Sequence, residues 1–219
     1  MNQEAGEDYR TKGYAHLRGL LPREICNAIL ARMKVDLSRQ GISLEKIERE
    51  GPLLRQKAPE LYGYHYPMFT SFLWGMTPSM EELTGEALLP TYCYFRLYRQ
   101  GDICRVHSDR PACEHSLSLT LGYGDGLAWP LEVSSQPIDE PVARADDQFA
   151  ADEPTTAIAM EVGDAVLYRG VHRVHGRTTP NPNRWSAHLF LHWVDADGPY
   201  RDHAFDRQGQ PASVNFEFA

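Results

Sequence analysis

The feature that most constrains this chain is a change in sequence texture near residue 90. From Thr91 onward, short runs of β-type sequence are separated by clusters of Gly, Pro, Asp and Asn. The candidate strands are residues 91–98, 103–107, 115–121, 127–133, 156–161, 164–169, 171–175 and 184–194. Because such punctuation is typical of consecutive strands, the pattern predicts a sandwich or barrel and not a set of βαβ units.

The first third of the chain is predicted to be helical. After a candidate strand at residues 14–18, apolar residues recur every four positions, as on one face of an amphipathic helix. That stripe is Ile25, Ile29, Met33 and Leu37. A further helix is predicted to begin near Pro78, because Ser79 and Glu82 have capping-box spacing. The aromatic segment 61–74 is predicted to be core between the helices and the sheet.

Length and charge limit the classes of protein that remain. The 219 residues fit one domain, with a mainly helical support region at 1–90 and a β core at 91–219. The net charge of −8 would repel phosphate backbones, so neither nucleic acid nor an anionic membrane is an expected partner. No apolar signal-peptide stretch is present, so we expect a cytoplasmic chain with reduced cysteines. The acidic segment 134–154 is predicted to form a mobile surface loop.

His107 and Asp109 form the most informative motif of the β region. Strand side chains two residues apart point the same way, so this His-x-Asp pair presents an imidazole and a carboxylate together. A second histidine from a distant strand would complete a 2-His-1-carboxylate facial triad. That set leaves three adjacent coordination positions open, as iron(II) oxygen chemistry requires.

Two histidines downstream are candidates for the third ligand. The residues Gly163 and Asp164 predict a turn between strands, and His172 and His175 follow it. The two histidines have opposite strand parity, so a regular strand would direct only one of them inward. The residue pattern leaves both candidates open.

The last candidate strand has one polar and one apolar face. The residues predicted to share the polar face are Arg184, Ser186, His188, Phe190 and His192. This face would line a cavity, while the apolar face packs against the helices. A cationic, bidentate donor such as Arg184 beside a metal site is what the distal carboxylate of a dicarboxylate cosubstrate needs.

This ordered set resembles the iron(II)/2-oxoglutarate dioxygenases, particularly their prolyl-hydroxylase-like branch. The resemblance rests on the segment from Tyr98 to Asp109, the Gly163-Asp164 turn, His175, and Arg184 nine residues after it. The opening at residues 13–22 is also similar to that superfamily's entry into its support helices. By resemblance, the fold is mainly β with N-terminal helices: a double-stranded β-helix (jelly roll) core buttressed by helices.

The resemblance also implies cofactors and site residues. The implied metal ligands are His107, Asp109 and His175, with His175 favoured over His172 because nine residues to the arginine is a familiar spacing. The implied 2-oxoglutarate ligands are Arg184, Ser186 and Tyr98. Iron(II), 2-oxoglutarate and O₂ would support oxidation of a small-molecule or peptidyl substrate, with release of succinate and CO₂. Related halogenases have a small residue in place of Asp109, so its presence favours hydroxylation.

Several alternatives remain at the level of sequence. The chain could be a non-catalytic jelly-roll binding module, a zinc hydrolase with the same three ligands, or an oxygenase of cupin type. Arg177 could replace Arg184 as the cosubstrate ligand, with Arg184 then at the surface. Arg105, Arg110 and His188 are candidates for substrate contacts, and the two arginines favour an amino-acid-like or peptidyl group.

Overall fold

The computed structural model describes residues 3–142 and 145–207. Three α-helices lie in the first part of the chain: α1 (Gln3–Lys12), α2 (Arg23–Arg39) and α3 (Pro67–Thr84). The strands are β1 (Tyr14–Leu17), β2 (Glu48–Arg49), β3 (Ala58–Tyr62), β4 (Leu88–Arg99), β5 (Cys104–His107), β6 (His115–Tyr123), β7 (Leu131–Pro137), β8 (Thr155–Ile158), β9 (Ala165–Arg169), β10 (Arg173–Arg177) and β11 (Trp185–Asp195). Short 3₁₀ helices occupy Leu44–Ile47, Pro111–Cys113 and Arg201–Arg207.

Two antiparallel sheets form the β core. The larger has seven strands in the order β1-β9-β6-β11-β4-β3-β2, and the smaller has four in the order β5-β10-β7-β8. Side chains of the two sheets meet between them, as where the rings of Tyr168 on β9 and His175 on β10 lie 4.4 Å apart. The predicted fold class is therefore confirmed: the protein is mainly β, with a jelly-roll core and helices against the larger sheet.

The alternation along β11 explains how the core is layered. Ala187, Leu189, Leu191 and Trp193 are buried and belong to the main apolar core. That core also contains Met33 and Leu37 of α2 and Leu73 and Met80 of α3. Ser186, His188, Phe190 and His192 have the opposite parity and are buried between the sheets. Burial of apolar side chains thus packs the outer face of the larger sheet against the helices. The polar face of the same sheet is left to line the space between the two sheets.

The helical region differs from the sequence prediction in two places. Helix α3 begins at Pro67 and not near Pro78, which lies inside it. Proline is well suited to the first turn of a helix, and the burial of Phe69 and Met80 outweighs the hydrogen bond that Pro78 cannot make. The stripe on α2 is also rotated from the predicted one, because Ile25 is 47% exposed while Cys26 is fully buried.

The predicted strands all have counterparts, and two strands were not predicted. Strands β2 and β3 add to the edge of the larger sheet, and their short sequences contain proline and charged residues that disguise them. In the described part of the chain, no helix is both long enough and apolar enough to cross a membrane.

Candidate active site

The predicted triad is assembled at the junction of β5 and β10. His107 ends β5, and Asp109 follows it by two residues. His175 lies on β10 directly opposite His107 in the strand register. Nε2 of His107 and Nε2 of His175 each lie 3.5 Å from Oδ1 of Asp109. Both histidines are buried, at 8% and 2% exposure.

The hydrogen bonds of the two histidines decide which nitrogen faces the carboxylate. Nδ1 of His107 donates to the backbone oxygen of Arg105 at 2.7 Å, and Nδ1 of His175 donates to that of Arg173 at 2.8 Å. Nε2 of each imidazole is thereby directed toward Asp109. Two imidazole nitrogens and a carboxylate oxygen therefore converge. This donor set fits a divalent cation such as iron(II).

The electrostatics of the triad favour the forms that bind metal. Burial and the neighbouring His175 lower the pKa of His107, so its imidazole is neutral. Burial acts to raise the pKa of Asp109, but attraction from His175 and His107 outweighs it and holds that pKa well below its usual range. The carboxyl is therefore ionised.

The second oxygen of Asp109 is held by the larger sheet. Oγ of Ser116 on β6 donates to Oδ2 at 2.8 Å, and the same Oγ lies 2.9 Å from Nδ1 of His192 on β11. Close beside Ser116, a Cβ at Gly170 would stand only 2.3 Å from Oδ2 and 2.6 Å from Oγ of Ser116, so this residue must be glycine for the carboxylate to fit. Burial lowers the pKa of His192 to about 4, so its imidazole is neutral.

Another group of buried polar side chains, here called the inner subsite, lies between the same two sheets. It consists of Tyr98, Ser118, Arg177 and His188. Arg177 lies on β10, two residues after His175, and is 1% exposed. Its guanidinium donates to the backbone oxygen of Trp129. It also lies 3.5 Å from Oγ of Ser118 and 3.5 Å from Nδ1 of His188.

The inner subsite carries a positive charge without an anionic partner. Arg177 forms no ion pair with a carboxylate within residues 3–142 and 145–207, whereas neighbouring Arg96 binds buried Glu60 through Nε and Nη2 at 2.7 and 2.6 Å. Since a guanidinium only donates, Nδ1 of His188 accepts from Arg177 and its Nε2 carries the proton. That Nε2 has no partner among the described residues. A buried cation beside an unused donor suits a bound anion.

Arg184 does not face this cavity, and the prediction that it shares an inner face with His175 is wrong. Its side chain is 72% exposed, and Nε donates to Oδ1 of Asp125 at 2.8 Å. Regular alternation begins only at Trp185, the first residue of β11, so parity with Ser186 does not extend back to Arg184. Ser186 does point inward, but its hydroxyl donates to Oδ1 of Asn181 at 2.7 Å.

Of the other candidates, Tyr98 lies inside the cavity and His172 lies outside the triad. Tyr98 is fully buried in the inner subsite, where its hydroxyl accepts from Nη1 of Arg96 at 3.0 Å. His172 stays outside the triad, with its Nδ1 3.0 Å from the backbone oxygen of Ile138 and its ring beside Tyr200. The structure therefore brings His175, and not His172, to His107 and Asp109.

The two arginines proposed to hold a substrate carboxylate already have acidic partners. Nε of Arg105 lies 2.6 Å from Oδ1 of Asp147, and Nη2 of Arg110 lies 2.9 Å from Oδ1 of Asp206. Arg110 also stands over the ring of Tyr92, 4.3 Å from its centre. These pairs weaken the case that either arginine selects an amino-acid carboxylate.

The acidic segment 134–154 is tied to the β core at several points. Its first residues continue β7 to Pro137, Asp146 forms a bridge with Val106, and Asp147 pairs with Arg55 and Arg105. Ala143 and Arg144, within the segment, lie outside the described residues. The mobility predicted for this segment stays a prediction.

Sequence reasoning missed the contribution of Ser116 and ranked Arg177 below Arg184. A signal for Ser116 was present, because Ser116, Ser118 and Thr120 alternate with leucines along β6. Such an alternation in a fully buried strand marks a polar inner face. A signal for Arg177 was present too, because it lies two residues after His175 on one strand, where side chains of equal parity point the same way.

Comparison with known proteins gives matches among solved structures. No family model matches the chain, and no curated protein matches it. EctD from S. alaskensis, solved with bound Fe, has a TM-score of 0.65 at 14% identity, covering 99% of this chain and 87% of that one. A Pseudomonas putida prolyl-4-hydroxylase has a TM-score of 0.58 at 16% identity, covering 88% and 98%. HygX from Streptomyces hygroscopicus, solved with nickel, 2-oxoglutarate and hygromycin B, has a TM-score of 0.63 at 9% identity, covering 90% and 88%.

These neighbours define the fold. The similar structures also include a protein of the 2OG-Fe(II) oxygenase family from Burkholderia pseudomallei, with a TM-score of 0.59 at 15% identity, covering 87% of this chain and 89% of that one. The chain shares its jelly-roll fold with these proteins, as the sequence resemblance predicted.

Proposed function

We propose that this protein is an iron(II)- and 2-oxoglutarate-dependent dioxygenase, formed by a single domain over residues 1–219 and acting in the cytoplasm. The observation that carries the proposal is the convergence of two Nε2 atoms on Oδ1 of Asp109, each nitrogen 3.5 Å from that oxygen. His107, Asp109 and His175 would hold the iron. When bound, iron and 2-oxoglutarate supply the oxidising chemistry, which uses O₂ and releases succinate and CO₂.

The inner subsite gives 2-oxoglutarate its orientation. Arg177, in place of Arg184, would pair with the distal carboxylate, and the proton on Nε2 of His188 would add a hydrogen bond. Burial lowers the pKa of His188 well below its usual value, with Arg177 and Arg96 adding to the shift, so this imidazole donates while neutral. The buried hydroxyl of Tyr98 lies in the same subsite. Ser186 supports it indirectly, through Asn181.

The substrate would meet a wall of tyrosine rings. Tyr62, Tyr92 and Tyr94 are each partly exposed, and their rings are nearly parallel, with interplanar angles of 8 to 22°. Such a wall fits a small-molecule or peptidyl substrate with an apolar face. Hydroxylation is the proposed outcome, because Asp109 occupies the position that is small in related halogenases.

The main alternative is a non-catalytic jelly-roll protein that binds a metal or ligand. A vestigial site would be expected to show a broken triad or a neutralised cation, and the described residues show neither. A zinc hydrolase would share the triad, but it would leave the buried charge of Arg177 without a role.

The test is an anaerobic titration with iron(II) and then 2-oxoglutarate, followed in the visible range. We expect the weak charge-transfer band of the metal–2-oxoacid chelate, followed by succinate release when O₂ and candidate substrates are added. Zinc(II) in place of iron(II) is the matched control and should give no visible band. Iron binding without any band would reject the 2-oxoglutarate assignment, and no iron binding would reject the metal site.

A further inference from the structure

The second oxygen of Asp109 is fixed by a chain of hydrogen bonds that starts on another strand. Oγ of Ser116 has three polar neighbours: Oδ2 of Asp109 at 2.8 Å, Nδ1 of His192 at 2.9 Å, and the backbone oxygen of Cys113 at 3.2 Å. The Asp109 carboxylate and the Cys113 carbonyl can only accept. The Ser116 hydroxyl has a single proton, so it can donate to only one of these neighbours.

The chemistry of the three groups sets the direction of this chain. A carboxylate is the stronger acceptor and lies closer than the carbonyl, so the Ser116 proton goes to Oδ2 of Asp109. Nδ1 of His192 must then donate to Oγ, since two unprotonated acceptors would otherwise compete for one proton. The order is Nδ1–H of His192 to Oγ–H of Ser116 to Oδ2 of Asp109. With Nδ1 protonated, Nε2 of His192 is bare, and it has no partner among the described residues.

The two oxygens of Asp109 consequently have different surroundings. Oδ1 faces both triad histidines, whereas Oδ2 faces the adjacent Ser116 and Gly170. The absence of a Cβ at Gly170 gives Oδ2 room, and the Ser116 hydroxyl occupies one of its lone pairs. The carboxylate thus cannot turn both oxygens toward a common point without breaking the Ser116 hydrogen bond.

We propose that Ser116 and His192 are positioning residues that hold Oδ2 of Asp109 away from the metal, so that this carboxylate binds through Oδ1 alone. The inference rests on the proposed function. It matters because a facial triad leaves three open coordination positions, and a bidentate carboxylate would occupy one of them. The chelating 2-oxoacid needs two positions, so the Ser116 hydroxyl keeps the third available.

The test compares four variants with the wild-type chain. Ser116→Ala removes the donor to Oδ2. His192→Phe removes the Nδ1 donor but keeps a ring against Tyr92, from which His192 lies 4.6 Å. His192→Asn places an amide N–H near the position of Nδ1 and should restore the hydrogen bond to Oγ of Ser116. Ser134→Ala is the matched control, because Ser134 is also fully buried and, within residues 3–142 and 145–207, its hydroxyl bonds only to the backbone of Gln136.

Two measurements are made on protein loaded with metal. The first is 2-oxoglutarate affinity of the iron(II) protein under anaerobic conditions, from the charge-transfer band. We expect a loss of about 10–100-fold in Ser116→Ala, the usual effect of removing a group that orients a metal ligand. His192→Phe should show a smaller loss, and His192→Asn and Ser134→Ala should stay within about twofold of wild type.

The second measurement is the crystal structure of each protein with nickel(II), which does not react with O₂. Wild type should bind nickel through Oδ1 alone, and Ser116→Ala should show Oδ2 turned toward the nickel. The proposal is overturned if Ser116→Ala and His192→Phe retain wild-type affinity and single-oxygen binding. A wild-type protein that forms no chelate would instead reject the proposed function. If Ser116→Ala does not fold, the difference between His192→Phe and His192→Asn decides the question.

Discussion

The two ends of the site between the sheets are incomplete in opposite ways. At the triad, two imidazole nitrogens and a carboxylate converge, a set of donors that suits a cation. At the inner subsite, the buried guanidinium of Arg177 and the free donor of His188 call for an anion. A metal ion chelated by a dicarboxylate would complete both ends at once. The comparison shows that charge, more than shape, identifies what this cavity binds.

The largest expected effect is at the triad end. His107→Ala or Asp109→Ala leaves two protein ligands, so we expect complete loss of the charge-transfer band in the anaerobic titration. His172→Ala is the matched control, because His172 lies just before β10 and its Nδ1 bonds to the backbone oxygen of Ile138, away from the triad. A full-strength band in either triad variant would contradict the metal assignment.

Replacing Arg96, which has a buried carboxylate partner, should lower the free energy of unfolding more than replacing Arg177, which has none among the described residues. Arg96→Met leaves buried Glu60 uncompensated, and we expect the free energy of unfolding to fall by about 3–5 kcal/mol. Arg177→Met removes a donor from the Trp129 carbonyl and from Nδ1 of His188 but leaves no buried carboxylate uncompensated, so the loss should be about 1–3 kcal/mol or less. Denaturant unfolding without metal or 2-oxoglutarate measures both. An equal or larger loss in Arg177→Met would mean that its charge already has an unseen anionic partner.

The same end of the cavity should control cosubstrate affinity. Arg177→Gln removes a charge-assisted partner from a buried site, which costs about 2–5 kcal/mol of binding free energy. This corresponds to roughly thirtyfold to several-thousandfold weaker 2-oxoglutarate binding. Arg184→Gln is the matched control and should bind within about twofold of wild type, because Arg184 is exposed and pairs with Asp125. The opposite ranking would restore Arg184 as the cosubstrate ligand.

The smallest expected effect lies outside the cavity, in the acidic segment 134–154. Asp147→Asn removes the ion pairs to Arg55 and Arg105, so limited proteolysis should cut this segment faster, without a measurable change in global unfolding. Asp139→Asn makes the same charge change at another exposed position of the segment and should leave the cutting rate unchanged. If neither variant is cut within the segment, the predicted mobility is wrong.

Two of the three triad residues could be predicted from the sequence because their information is local. His107 ends β5 and Asp109 follows it by only two residues, so the chain itself keeps the two side chains close. The polar inner face of β11 followed from the same rule. Helix α3 was predicted less well, since the burial of Phe69 and Met80 overrides the usual meaning of Pro78.

The sequence by itself indicated the class of fold, the pairing of His107 with Asp109 and the inward face of the last strand, because each depends on a pattern within one segment. It left two histidines and two arginines open, and the tertiary structure decided which of each pair is inside. Arg184 lies one residue before β11 begins, where alternation does not apply, and Asp125 holds it at the surface. Arg177 is inside because β10 places it opposite β6 and β11, next to Ser118 and His188. Ser116 lies on β6 of the larger sheet, whereas Asp109 follows β5 of the smaller one, and the fold of the chain between them brings the hydroxyl within hydrogen-bonding distance of the carboxylate.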